Sequence, residues 1–184
     1  MWRKRFRSAH CAVASGPALA TVVTLPRFVR RKCVPAAATM VAALVCAAPS
    51  LASGLTLPEQ ALLAGVNQTR SAHGLVPLRV DWRLERAARA HSAEMLREYY
   101  FGHGAFAWRI RQYGAPGPAF GENLAWGVGG AATAATVVRM WLNSPGHRAN
   151  LLRPGFRRVG VAAPEGAFLG YSDARVITVD FAGT

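Results

Sequence analysis

The sequence predicts an α+β layered domain, and two patterns carry that prediction. Through the first two-thirds of the segment beyond residue 55, apolar residues recur at helical spacing. From Arg157 to the end they follow strand-like runs with period-two alternation. Helices first and strands last argue separate layers of each packed on one core.

The elements follow in order. Thr56 to Ala72 reads as a helix: Pro58 suits a first turn, Leu62, Leu63, Val66 and Thr69 keep helical spacing, and Gly74 ends it. "LVPLRV" is a short extended link. Asp81 can cap a second helix that carries Leu84, Ala87, Ala88, His91 and Met95 on one face. "FGHGAF" is a loop, "AWRIRQYG" one short helix, and "AFGENLAW" extended chain. Ala131 to Asn143 is expected to be helical throughout, burying Ala134, Val137, Val138, Trp141 and Leu142. Ser144 can cap a further short helix with Pro145 in its first turn. "RRVGVAAP" and "ARVITVDFA" are strands, joined through a Gly-containing turn near Gly166 to Ser172.

Charge is unevenly spread along the 184 residues. Residues 1–52 hold 8 of the 22 basic residues and no acid, while the remainder carries 14 arginines, no lysine and all 9 acids. The leader also has the order of an export signal: Arg30, Arg31 and Lys32, an apolar run from Val34 to Ala48, then small residues in "APSLASG". That run is shorter than the roughly 20 residues a spanning helix needs. Residues 1–52 are therefore expected to be a secretory signal cleaved after Ala52, residues 53–57 a short linker, and 58–184 one domain. Cys11, Cys33 and Cys46 all lie in the leader, so the exported portion has no disulfide and relies on its core, which about 130 residues can supply.

Several motifs are excluded. "GVGGAA" fits a dinucleotide-binding pattern, but no Asp or Glu occurs between Glu122 and Glu165, where the ribose partner would fall. It reads as a turn. The chain has no H-E-x-x-H, G-x-S-x-G or C-x-x-C. His73 beside Gly74 suits a helix end, and His91 reads as a core histidine. His103 has no packing explanation, since it sits between glycines in a loop, and loops carry function disproportionately. His147 falls at the third position of its helix, where the positive end of the dipole favours a neutral ring. Ser144 has a structural role open to it, accepting the His147 backbone N–H. Glu122 alternates with Phe120, Leu124 and Trp126, which places a carboxylate in an apolar row. Such a group needs a partner or a proton.

At these residues the chain resembles a known family. "FGHG…GENLAW…WLNSPGHRANLL…VGV" is similar, in order and over residues 58–182, to the CAP superfamily of cysteine-rich secretory proteins, antigen 5 and pathogenesis-related proteins, in its short bacterial form. The resemblance implies a three-layer α-β-α sandwich with a small, largely antiparallel central sheet. It also implies a cavity of two histidines and two acids that in several members binds a divalent metal, often zinc. Here His103, Glu122 and His147 match three of those positions, and the fourth, near Ser144, has no acid.

The expected function is a secreted, monomeric binding module. Its His/Glu cavity would take a divalent cation, and a groove would take lipid or anionic cell-envelope ligands. Two alternatives stand beside it. One is a hydrolase using His103, Glu122 and His147 with Ser144 or metal-bound water. The other is a surface-interaction protein whose Arg148, Arg153, Arg157 and Arg158 favour anionic polymers. Export and the lack of aromatic interleaving argue against nucleic acid.

Overall fold

The computed structural model describes residues 54–115 and 117–183; the expected signal segment lies outside the described residues. The helices are α1 (Leu57–Ala72), α2 (Trp82–Glu98), α3 (Phe106–Gln112), α4 (Ala134–Leu142) and α5 (Pro145–Leu151). The strands are β1 (Arg79–Val80), β2 (Phe120–Gly127), β3 (Phe156–Ala162), β4 (Glu165–Phe168) and β5 (Tyr171–Gly183).

One sheet runs in the order β1-β3-β5-β2, with β4 continuing beside β5. Only the two-residue β1 is parallel to its neighbour β3; every other pairing is antiparallel. The period-two pattern of β5 explains the layering. Ile177, Val179 and Phe181 face one way and join Leu62 and Val66 of α1, Val137 and Trp141 of α4, and Leu151 of α5 in the largest core cluster. On the other face Ala174, Val176 and Ala182 meet Met95, Leu84 and Ala87 of α2 and Ile110 of α3. The result is the expected α-β-α sandwich.

Two close approaches set the layer spacing. A Cβ on Gly160 of β3 would lie 2.0 Å from the Leu84 carbonyl carbon of α2, so only glycine lets that helix seat there. A Cβ on Gly121 of β2 would lie 2.7 Å from Asn150 Oδ1 of α5.

Three local expectations are corrected. The single helix from Ala131 to Asn143 is two elements: a 3₁₀ turn at Gly129–Ala132, then α4 from Ala134. Thr133 divides them, because its extended backbone and its hydroxyl, which accepts the Thr136 N–H at 3.4 Å, start a new helix. The broad turn near Gly166–Ser172 is a tight one at Leu169 and Gly170, both at positive φ (48° and 91°), with β4 before it. Finally, Ser144 stands at the N-cap of α5 but its side chain makes no cap hydrogen bond. Pro145 in the first turn and the backbone bond Arg148 N–H to Ser144 C=O (2.8 Å) start that helix instead.

Candidate functional site

The site lies at the β2 edge of the sheet, where residues from three elements and a loop converge. The "GEN" triplet of β2 works by alternation. Gly121 and Asn123 face α5: Asn123 donates to the His147 carbonyl at 3.0 Å and accepts from Asn150 Nδ2 at 3.0 Å, and Asn150 also donates to the Glu122 carbonyl at 3.0 Å. These bonds latch α5 to β2 and fix where His147 stands. Glu122 points to the opposite face, toward α2 and α3. Meanwhile α2 ends at Tyr99 in a left-handed conformation (φ 52°), and the returning loop brings His103 over the strand edge.

Glu122 is 1% exposed at its side chain yet fully partnered. Its Oε1 accepts His103 Nδ1–H at 2.7 Å, and its Oε2 accepts the Arg109 guanidinium of α3. Arg109 is itself buried and also donates to the His103 carbonyl at 3.4 Å. Behind them His91 of α2 holds the Gly102 carbonyl through Nε2 (2.9 Å), 3.9 Å from Glu122 Oε2. Burial above all holds His91 below the ordinary histidine value.

Asp180 of β5 is the cross-strand partner of Glu122. It is fully buried, and no donor reaches either of its oxygens. Burial, then the neighbouring Glu122 charge, push it well above the ordinary carboxyl value, which favours its neutral form. His147 is held low as well. The direction matches the sequence expectation, but the causes are burial and then the charge of His103 rather than the helix end.

The structure thus brings His103, Glu122 and His147 to one open pocket of about 340 Å³, together with Phe106, Ser144, Gly146 and Asn150. Sequence reasoning missed Arg109, Asp180 and the proximity of His91. Asp180 did carry a signal: an acid in the apolar alternation of "VITVDFA", the same anomaly that singled out Glu122. Arg109 carried none. His73 caps α1 as expected, with Nδ1 on the Thr69 carbonyl at 2.8 Å.

A metal meets these residues unequally. Both oxygens of Glu122 already hold donors, one of them a buried cation, which opposes a second cation there. Among the described residues no group of three His, Cys, Asp or Glu side chains could hold one ion. Two imidazoles fit better. His103, donating through Nδ1, keeps Nε2 as an acceptor, and His147 Nδ1 is buried without a partner. Glu122 fits as the carboxylate that orients His103 from behind.

With fold and site in hand, the class is an α-β-α sandwich bearing a His/Glu pocket at its sheet edge. The family model described as CAP, the cysteine-rich secretory protein family, matches residues 63–181, and the chain belongs to that family. It is 34% identical over 121 residues to the uncharacterized protein YkwD of Bacillus subtilis (strain 168), covering 63% of this chain and 46% of that one. It is also 34% identical over 112 residues to the membrane protein YlbC of the same organism, covering 58% and 31%. The chain thus spans less than half of either curated relative. Among solved structures, an extracellular protein of Bacillus anthracis containing an SCP domain superposes with a TM-score of 0.58 at 28% identity, covering 69% of this chain and 40% of that one. An outer surface protein of Borrelia burgdorferi superposes with a TM-score of 0.58 at 22% identity, covering 68% and 92%, a likeness of fold. No helix among the described residues is long and apolar enough to cross a membrane.

Proposed function

We propose that the chain is an exported CAP-domain binding module, with an apolar groove for a lipid or other amphiphilic cell-envelope ligand and a separate His/Glu pocket that takes a divalent cation. One observation carries the binding reading. Between α1 and α4 lies a groove of about 320 Å³ lined by Leu57, Leu62, Ala163 and Ile177, with Arg175 at its wall. Arg175 donates to Glu165 at 2.6 Å, but its Nε is buried without a partner. An apolar slot ending in an unanswered guanidinium N–H suits a chain with an anionic or carbonyl head. The anthrax relative's description as extracellular agrees with export. The test is displacement of cis-parinaric acid from the full chain. Ala61→Trp, which fills the groove, and Arg175→Gln should each reduce binding; binding indifferent to both would refute the reading.

The cation belongs to the other pocket. There His103 and His147 would be its ligands, with water completing the shell and Glu122 orienting His103. Zinc titrated into chelator-treated protein should bind in the micromolar range, more weakly as pH falls through about 6.5, and no longer after His103→Ala or His147→Ala. Binding that survives both changes would put the metal elsewhere.

A hydrolase reading has one specific observation in its favour. The structural role open to Ser144, a hydroxyl accepting the His147 N–H at the helix start, would commit that hydroxyl, and the bond is absent. Ser144 shares its pocket with His103, whose other ring nitrogen is held by Glu122. A carboxylate-oriented imidazole that shares a pocket with a serine hydroxyl supplies the components of an activated serine, provided His103 Nε2 reaches that hydroxyl when substrate binds. Labelling by a fluorophosphonate probe, abolished in Ser144→Ala and His103→Ala, would support it; an unlabelled wild-type protein would end it.

A further inference from the structure

At the opposite edge of the sheet, β1 and β3 frame a cleft of about 490 Å³ lined by Val76, Pro77, Arg79, Arg157 and Arg158. Among the described residues that line it there is no Asp or Glu. Three features make it more than a solvated basic face.

The first is register. Arg79 and Arg158 are direct partners across the parallel β1–β3 pair, which sets both side chains on one face of the sheet. The second is a bulge. The β3 register shifts between Phe156 and Arg158, which lets consecutive arginines line the same cleft instead of alternating across the sheet. Arg157 is then held in place, donating to the carbonyls of Pro154 and of Phe156 (3.1 Å). The third lies beneath. Arg70 of α1 is fully buried, and its four hydrogen bonds all go to backbone carbonyls, those of Val76 (3.0 Å), Leu151 (2.8 Å), Arg153 (3.2 Å) and Phe156 (3.0 Å). Burial and then repulsion from Arg157 weaken its hold on its proton. A buried guanidinium bonded to four carbonyls and repelled by Arg157 is an electrostatic cost that a bound anion offsets.

We propose that this cleft binds a multiply charged phosphate-type oxyanion, with Arg79 and Arg157 as its principal donors. Planar guanidiniums suit phosphate because each can give two parallel N–H bonds. The site is separate from the His103 pocket and from the α1–α4 groove, so it stands or falls independently of the function proposed for either.

The test is calorimetric titration of the full chain with inorganic pyrophosphate at physiological ionic strength. Arg79→Gln/Arg157→Gln should weaken binding about tenfold or more. Arg97→Gln/Arg111→Gln, which removes two charges from the α2 and α3 side, should change it less than about twofold, distant surface charges being screened. Arg79→Gln alone, at an exposed residue, gives the same comparison where the double variant fails to fold. Equal losses in the two doubles would reduce the effect to net charge and overturn the site, as would the absence of pyrophosphate binding. A parallel arm with phosphatidylglycerol and phosphatidylcholine vesicles separates the sources. Sedimentation with the former alone, lost in Arg79→Gln, assigns the phosphate to a lipid headgroup. Pyrophosphate binding without vesicle binding assigns it to a soluble or polymeric phosphate.

Discussion

At the scale of single residues, Glu122 is explained by its partners. An ionised carboxylate at 1% exposure survives because Arg109 and His103 both donate to it. Arg109→Met removes the cation and leaves the carboxylate buried with His103 alone. The expected cost is about 3–5 kcal/mol, the usual penalty for breaking a buried pair from one side, read by urea denaturation at neutral pH. A loss within error would mean that His103 alone neutralises the site.

Asp180 makes a second, opposite prediction. Its native value is raised, so between the ordinary carboxyl range and that raised value the fold keeps a proton that the unfolded chain has released. Stability from this residue is therefore full at low pH and falls as pH rises through the window. Asp180→Asn mimics the protonated acid, so it should melt higher than wild type at neutral and alkaline pH, with the gap closing toward acid. Parallel melting curves across the pH range would contradict a neutral Asp180. His91 and His147 run the other way: both are held low, so their contribution is lost as pH drops below about 6.5.

His103, Glu122 and His147 were legible because each breaks a local pattern or fits a known motif. Arg109 breaks none, and its role arises only when α3 packs against a strand 13 residues away.

At the scale of elements, the site depends on how closely helices approach the sheet. Gly160→Ala would place a methyl 2.0 Å from the α2 backbone, where no rotamer can relieve it. A loss of about 3 kcal/mol or more is expected, or a chain that does not fold, measured by circular dichroism and denaturation. A tolerated alanine would mean that α2 can lift from β3 without cost. By contrast, Ser144→Ala should cost only a few tenths of a kcal/mol, not the roughly 1 kcal/mol of a lost cap, because no cap bond exists to lose.

These two residues also mark what sequence could and could not tell. Serine at an N-cap is a sound expectation from preference, but preference does not aim a hydroxyl, and here Pro145 and the Asn123–His147 latch already hold the helix. Thr133 likewise divides a segment whose apolar spacing reads as one helix, since periodicity records which face is buried and not where backbone dihedrals change. β2, β3, β5, α1 and α2 were legible, because their spacing and caps point the same way, whereas the short β4 was hidden in what reads as a turn.

At the scale of the whole molecule, the remaining expectation is export, with cleavage after Ala52, and the first described residues say what such a cut must preserve. Leu55 is 5% exposed and belongs to the main core cluster. The Gly54 carbonyl accepts from Arg89 at 3.1 Å, and the Thr56 N–H is held by Glu59 at 2.7 Å. Glu59, buried at the first turn of α1, also accepts from Arg89 (2.9 Å) and from the Ala163 N–H (3.1 Å), tying that turn to α2 and to the end of β3. A mature chain starting at Ser53 keeps all of these contacts, whereas one starting at Leu57 loses the leucine, the Gly54 acceptor and the capped N–H. Burial of one leucine and one cap together amount to about 2–4 kcal/mol. The Ser53 chain should therefore unfold at a clearly higher urea midpoint than the Leu57 chain, and N-terminal sequencing of protein from culture medium should read Ser53. Recovery of a cell-bound product still carrying Val34 to Ala48 would refute cleavage, and equal midpoints for the two chains would show that the core does not need Leu55.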